Sequence, residues 1–406
     1  MYETSVFNIK INFKKSYRSY IYDQTRQRYF LDFFGLYASL PLGYNHPVFN
    51  EKTFLRDYLN TSTIKLVNCE VLSDLGEKFL EEFKSVTGTK RYQHFWFCCT
   101  GALAIETAIK TAIEYKKVTK PVVISLKESF HGISGYGSFV TDNFPPVGSR
   151  LVSLPNLRWP KIHNPKLIYK DGKIDKKANK AGLKRFVKEF ASLIKKNKGN
   201  VVALLIEPIQ ATFGDNHFPR EFFSYARKLC DREDIALIFD EVQTGFGGTG
   251  KMWYWEHIGI EPDIVAFGKK TQVSGIMVKK KFGTIFDNLN KLSVTFDGDL
   301  TDMIRCRQIL KAYTKYNILS NVSKRGAELK AGLLKIKQLK NVRGEGLLVA
   351  FDFENHEQQV AFSKKAFENG LIFNRTRETT IRLRPNLNVS FDEVEKAVSI
   401  IKLSIS

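Results

Sequence analysis

Two stretches decide the fold: Ile235-Ala-Leu-Ile-Phe-Asp-Glu-Val-Gln243 and, farther along, Asp263-Ile-Val-Ala-Phe-Gly-Lys-Lys270. Each reads as a short apolar strand that ends by presenting one charged group, Asp240 in the first and Lys269 in the second. A charge at the end of a buried strand is costly unless a partner or a ligand uses it. The two strands therefore predict both a buried sheet and a site at its edge.

Working outward, Gln93-His-Phe-Trp-Phe-Cys-Cys99, Val122-Val-Ile-Ser-Leu126 and Val201-Val-Ala-Leu-Leu-Ile206 are further apolar runs of strand length. Between them Ile105, Ala108, Ile109, Ala112 and Ile113 recur at helical spacing, and Pro219 opens a helix whose stripe is Phe222, Phe223, Ala226, Leu229 and Cys230. Unbroken apolar strands alternating with amphipathic helices predict an α/β fold with a mostly parallel sheet covered on both faces. Residues 1–34 read instead as short strands, around Tyr20-Ile-Tyr and Arg28-Tyr-Phe-Leu-Asp-Phe-Phe34. Beyond about residue 285 come a long helical stretch from Leu300 to Leu339, the run Gly344 to Phe353, a helix over 357–369, Thr380-Ile-Arg-Leu-Arg384 and a last helix from Ser390. The expected division is a large domain over 46–285 and a smaller α+β domain built from 1–45 and 286–406.

Composition narrows the classes. No apolar run approaches the roughly 18 residues that cross a bilayer, and Met1-Tyr-Glu-Thr-Ser lacks a signal peptide's basic start and apolar core, so a cytoplasmic location is expected. Cys69, Cys98, Cys99, Cys230 and Cys306 have neither metal-ligand spacing nor a dense disulfide pattern, and reduced thiols with no metal site are expected. The net charge of +21 raises nucleic-acid binding. The densest basic stretch, Lys166 to Lys198, carries Leu183, Phe186, Val187, Phe190, Leu193 and Ile194 at helical spacing, and so reads as the solvated face of an amphipathic helix, without a nucleic-acid partner.

The strand ends hold the chemistry. Thr100-Gly-Ala lies between a strand and a helix, where Gly101 and Ala102 can bring backbone N–H groups against a phosphate and Thr100 adds a hydroxyl; an ordinary helix cap has the same sequence. Phe130-His131-Gly132 follows the strand at 122–126, placing Phe130 where it could stack on a flat ring or simply pack the core. A carboxylate such as Asp240 keeps a pyridine nitrogen protonated, and an amine such as Lys269 forms a Schiff base with an aldehyde and then serves as a base. Together they point to pyridoxal phosphate as cofactor. Val242 can press on the ring face, Gln243 can hydrogen-bond its phenolic oxygen, and Lys270 is expected at the surface or behind the site.

With those residues in hand, the chain resembles the class III aminotransferases, and within them the lysine-specific members. The resemblance rests on Leu42-Gly-Tyr-Asn-His-Pro47, Gly101-Ala-Leu-Ala-Ile-Glu106, Phe130-His-Gly, Glu207-Pro-Ile-Gln210, Phe239-Asp-Glu-Val-Gln-Thr-Gly245, Pro262 to Val273 and Arg382-Leu-Arg-Pro385, so it runs nearly the whole length. It implies a fold-type I transferase with a seven-stranded-type sheet, acting as a homodimer with shared active sites. It further implies that Thr295 holds the cofactor phosphate of the neighbouring subunit and that Arg382 receives the α-carboxylate of 2-oxoglutarate or glutamate. The expected reaction moves a terminal amine, first of all lysine's ε-amine, to 2-oxoglutarate. Three positions depart from the family's pattern. Ile133 stands where the lysine enzymes have an arginine for the donor's far carboxylate, Ala211-Thr212 where the family has Gly-Glu, and Ser293 where it has an asparagine, with Asp297 in a glycine-rich stretch just beyond. Isoleucine cannot donate to a carboxylate. Two other readings are therefore kept open: a donor lacking a distal carboxylate, and a basic, non-catalytic binding protein on a relic fold.

Overall fold

The computed structural model describes residues 7–68, 70–88, 90–142, 157–170 and 172–405. The chain forms two compact units, one of Tyr58–Phe246 with Lys251–Arg307, the other of Met1–Asp57, Gly247–Gly250 and Gln308–Ser406.

The first unit is built on a seven-stranded sheet in the order His94–Cys98, Ser274–Val278, Ile264–Phe267, Ala236–Asp240, Val201–Ile206, Val122–Leu126, Lys161–Ile162. Strand Ser274–Val278 runs antiparallel to both neighbours, while the four pairings from Ile264–Phe267 to Lys161–Ile162 are parallel. The sheet is thus mostly parallel, as the apolar runs predict. Residues 201–206, 236–240 and 264–267 are buried without exception, because layers of helix cover both faces. Against one face packs the helix Gly101–Lys116, whose Ala104, Ala108 and Ala112 recur every fourth residue and let its backbone approach Val123, Ala203, Ile238 and Ile276. On helix Arg220–Arg232, Phe223 meets Phe239 of the sheet edge-on with ring centroids 5.8 Å apart, and Phe186 of helix Lys176–Asn197 meets Phe222 at 4.8 Å. Each such aromatic or branched side chain contributes about 1.5–3 kcal/mol on burial.

Two strands of this sheet have no counterpart in the sequence pattern: Ser274–Val278, and the two-residue edge strand Lys161–Ile162. A hairpin, Tyr169–Lys170 with Lys173–Ile174, also went unread, although its turn includes Gly172 at φ 73°.

The second unit carries a three-stranded sheet (Tyr20–Asp23, Arg28–Asp32, Leu371–Ile372) and a four-stranded one in the order Lys340–Glu345, Leu348–Asp352, Thr380–Leu383, Asn374–Thr376. The helical stretch expected from Leu300 to Leu339 is two helices, Leu300–Lys315 and Ile318–Leu334, because Asn317 takes the left-handed conformation at φ 50°. The final helix, Phe391–Ile405, is opened by a reciprocal cap: Ser390 Oγ accepts from Glu393 N at 3.3 Å and Glu393 Oε2 from Ser390 N at 2.7 Å.

Candidate active site

The register of the sheet pairs Val265 with Phe239 and Ala266 with Asp240, so Asp240 ends its strand beside the strand that leads through Gly268 to Lys269. Four loops at this sheet edge then meet, and the glycines record how closely. A Cβ on Gly101 would lie 3.1 Å from Val242 Cγ1, and one on Gly268 would lie 3.6 Å from Gly101 Cα and 2.7 Å from Ser274 Oγ. A Cβ on Gly132 would lie 3.5 Å from Ala102 Cβ. The helix start 100–102, the loop after Phe130, the turn after Asp240 and the turn before Lys269 therefore converge on one place.

Each part is held by identifiable bonds. Thr100 caps helix Gly101–Lys116 with extended backbone, its Oγ1 accepting from Leu103 N at 3.3 Å. Thr100 is thus the helix cap that its sequence also allowed, and the N–H groups of the first turn remain at the convergence point. Asp240 is 7% exposed; its Oδ1 accepts from Val242 N at 3.1 Å, and its Oδ2 lies 2.8 Å from His131 Nδ1. As Asp240's partner, Nδ1 carries the imidazole proton, and Nε2 is then a buried nitrogen with no hydrogen-bond partner among the described residues. Phe130 is half-buried, and its N–H donates to Glu207 Oε1 at 2.8 Å, while Glu207 Oε2 accepts from Ala211 N at 3.3 Å. One carboxylate thus ties together the loops that carry Ile133 and Thr212. Ile133 itself is 65% exposed.

Lys269 is partly exposed and sits at φ 56° at the head of a short 3-10 turn, a left-handed backbone rare for a side chain that is not glycine, asparagine or aspartate. Gln272 fastens this turn, its N and Nε2 donating to Lys269 O at 2.9 and 3.0 Å. Lys270 is buried, 2% exposed, and its Nζ donates to Gln243 O at 2.6 Å. Of the two positions expected for Lys270, surface or behind the site, the structure has the second: its amine holds the backbone of Gln243. Glu241 is fully buried and accepts from Tyr254 N, Trp255 N and Thr244 Oγ1 at 2.8, 3.1 and 3.0 Å, and burial pushes its carboxyl up to about 7.

Ser293 is half-buried and Thr295 exposed, on a loop whose Val294 N donates to both Asp297 oxygens at 3.3 and 3.2 Å. The loop is anchored to the strand before Thr100 by Gly298 N on Phe97 O at 3.2 Å and by Cys99 Sγ on Phe296 O at 3.0 Å. Arg382 belongs to the second unit, in strand Thr380–Leu383, where it is opposite Ala350 and Asn374 and 5% exposed. Sequence reasoning missed His131, Glu207 and Glu241. For His131 a signal existed, since it lies between Phe130 and Gly132 in the motif that was read only for its phenylalanine.

These residues suit a phosphorylated pyridine aldehyde: a helix start that a side chain at Gly101 would crowd, a buried carboxylate braced by an imidazole, and a lysine on a strained turn. An α/β transferase that uses pyridoxal phosphate is what this fold and site define. The chain belongs to the class III aminotransferases, whose family pattern matches residues 1–405, and it is accordingly a pyridoxal phosphate-dependent transaminase. It is 32% identical to the L-lysine-epsilon aminotransferase of Mycobacterium tuberculosis, over 98% of this chain and 92% of that one. It is 30% identical to the Amycolatopsis lactamdurans protein of the same name, over 99% and 93%. The solved structure of lysine aminotransferase from M. tuberculosis superposes with a TM-score of 0.94 at 31% identity, covering 100% of this chain and 96% of that chain.

Proposed function

We propose that the enzyme transfers the ε-amino group of L-lysine to 2-oxoglutarate, giving glutamate and a semialdehyde. The meeting of Gly101, Val242 and Gly268 around Asp240 and Lys269 carries the amine-transfer chemistry, and the full-length likeness to lysine-epsilon aminotransferases supports lysine as donor. Pyridoxal phosphate supplies an aldehyde for the amine and a ring that withdraws electrons from the donor's carbon. In this reading the N–H groups at Thr100, Gly101 and Ala102 would hold its phosphate, and Asp240, oriented by His131, would hold its ring nitrogen. Phe130 and Val242 would pack on the ring, and Gln243, its backbone fixed by Lys270, would donate to the ring oxygen. Lys269 Nζ would supply the amine that holds the aldehyde and the base that takes and returns the proton at the donor carbon. Arg382 takes the α-carboxylate of the oxoacid, and Ser293 borders the substrate.

A homodimer with shared sites completes the proposal. Leu59, Ile64, Val71 and Leu72 of the first unit are 64%, 71%, 53% and 83% exposed, and Val294 and Phe296 beside Thr295 are 49% and 42% exposed. Lys65 Nζ lies 4.7 Å from the centre of the Phe296 ring, so the two segments adjoin and offer an apolar surface to a second copy. Exposed Ile133 favours one variant of the reading, a donor without a carboxylate at its far end.

The test is a half-reaction with the pyridoxal-loaded enzyme, following loss of the cofactor's visible absorbance on adding lysine, cadaverine or glutamate. Lysine and glutamate should each discharge it. If cadaverine reacts and lysine does not, the carboxylate-free donor replaces lysine, and if no amine reacts the aminotransferase reading fails.

A further inference from the structure

Residues 161–198 hold thirteen lysines and arginines against three acids, close to half of the chain's +21 charge. The expectation of a merely solvated face changes once the partner of each cation is known. On helix Lys176–Asn197, Lys176, Lys180, Lys184 and Lys188 follow one another at intervals of four, and Lys177 and Lys195 extend the same side. All six are exposed, and among the described residues none has an acidic partner; Arg185 alone is paired, with Glu189 at 2.8 Å. Three exposed lysines elsewhere in the unit do find one: Lys78 with Asp74 at 2.9 Å, Lys281 with Asp234 at 2.6 Å, Lys291 with Glu114 at 2.7 Å. Like charges four residues apart on a helix repel and destabilise it. Here they form a continuous ladder. Exposed Lys170 and Lys173 of the hairpin precede the helix, and among the described residues the acids nearest in sequence are Asp175, spent on capping through Ala178 N at 2.9 Å, and Glu189, spent on Arg185 and His163 N.

We propose that this face binds the phosphodiester backbone of nucleic acid, without reading its sequence. From Lys177 to Lys195 the helix rises about 27 Å with these lysines along one side. That form matches a polymer carrying regularly spaced phosphates, and neutralising them releases condensed counterions, which supplies the binding free energy. An anionic membrane is the poorer fit. A helix that seats in a membrane needs a free apolar face, and here Phe186, Phe190 and Ile194 are buried against the protein. Exposed bases have no platform on the stripe, whose gaps are filled by Ala181, Ala191 and Ser192.

The experiment uses the cofactor-loaded enzyme and a labelled DNA duplex of about 20 base pairs, with anisotropy read across a salt series from about 50 to 200 mM. Binding should weaken steeply with salt, and Lys177→Gln, Lys184→Gln and Lys188→Gln combined should lower the log–log slope by about three. Combining Lys78→Gln, Lys281→Gln and Lys291→Gln should leave it unchanged. Both triple variants should keep the wild-type transaminase rate. If the stripe triple does not fold, Lys184→Gln alone should lower the slope by about one. The proposal is overturned by absence of salt-dependent duplex binding, by equal slopes in the two triples, or by capture of phosphatidylserine vesicles through the stripe without capture of the duplex.

Discussion

Asp240 keeps a carboxylate at a buried strand end with two donors, the Val242 N–H and the His131 imidazole. Removing one donor from a buried charged acceptor costs about 1.5–3 kcal/mol. His131→Ala is therefore expected to slow the half-reaction by about 10- to 100-fold while the protein stays folded. Stopped-flow absorbance with the preferred donor measures the rate, and circular dichroism checks the fold; a variant that reacts at the wild-type rate removes His131 from the account. Glu241, next in sequence, behaves differently. Its carboxyl is raised to about 7 by burial, against an ordinary 4.5, so the folded state binds that proton more tightly than the unfolded state does. The stability it contributes is fully present below pH 4.5 and is lost as pH rises through 7. Urea denaturation between these limits should find wild type losing stability with rising pH, and Glu241→Gln with a flatter profile. Parallel profiles for the two proteins would remove Glu241 as the source. At this scale Asp240 and Lys269 were legible, because a charge ending an apolar run is visible in a single sequence. His131 and Glu207 were not, since their importance lies in the atom each faces across the fold.

At the scale of elements, the parallel strands could be read because both faces are covered and every residue is apolar, as in Val201–Ile206. Ser274–Val278 is just as buried, yet it begins Ser-Gly, and nothing in its composition marks it as the strand that reverses direction between His94–Cys98 and Ile264–Phe267. The break at Asn317 is a single residue in a left-handed conformation within an otherwise helical pattern, so periodicity alone carried the helix across it. Helix Gly101–Lys116 shows how an element serves the site: its alanines seat it on the sheet, and its first residue can only be small. Replacing Gly101 with valine sets a Cβ 3.1 Å from Val242 Cγ1, with two methyl groups beyond it. The helix start and the Asp240 turn must then separate. Gly101→Val should weaken pyridoxal phosphate binding by tenfold or more, about 1.4 kcal/mol, measured by titrating the apoprotein with cofactor and reading tryptophan fluorescence. Unchanged affinity would mean that the phosphate is held elsewhere.

For the whole molecule, the groups proposed to hold the cofactor are gathered at one sheet edge within a single unit, and Thr295 stands exposed on a loop beside an apolar surface. If two copies share their sites as proposed, Lys269 of one chain works with Thr295 of the other. Lys269→Ala removes the amine, and Thr295→Glu sets a negative charge where a phosphate should approach, so each variant alone is expected to be inactive. Mixed after mild dissociation and reassociation, they form hybrid dimers in which one site has both an intact lysine and an intact threonine. With half of the dimers hybrid, about a quarter of the wild-type sites should recover. Activity assays on the mixture, alongside size-exclusion measurement of its mass, decide the matter: a dimer that regains nothing places both residues in a site made by one chain, and a monomer at working concentration removes the shared site altogether.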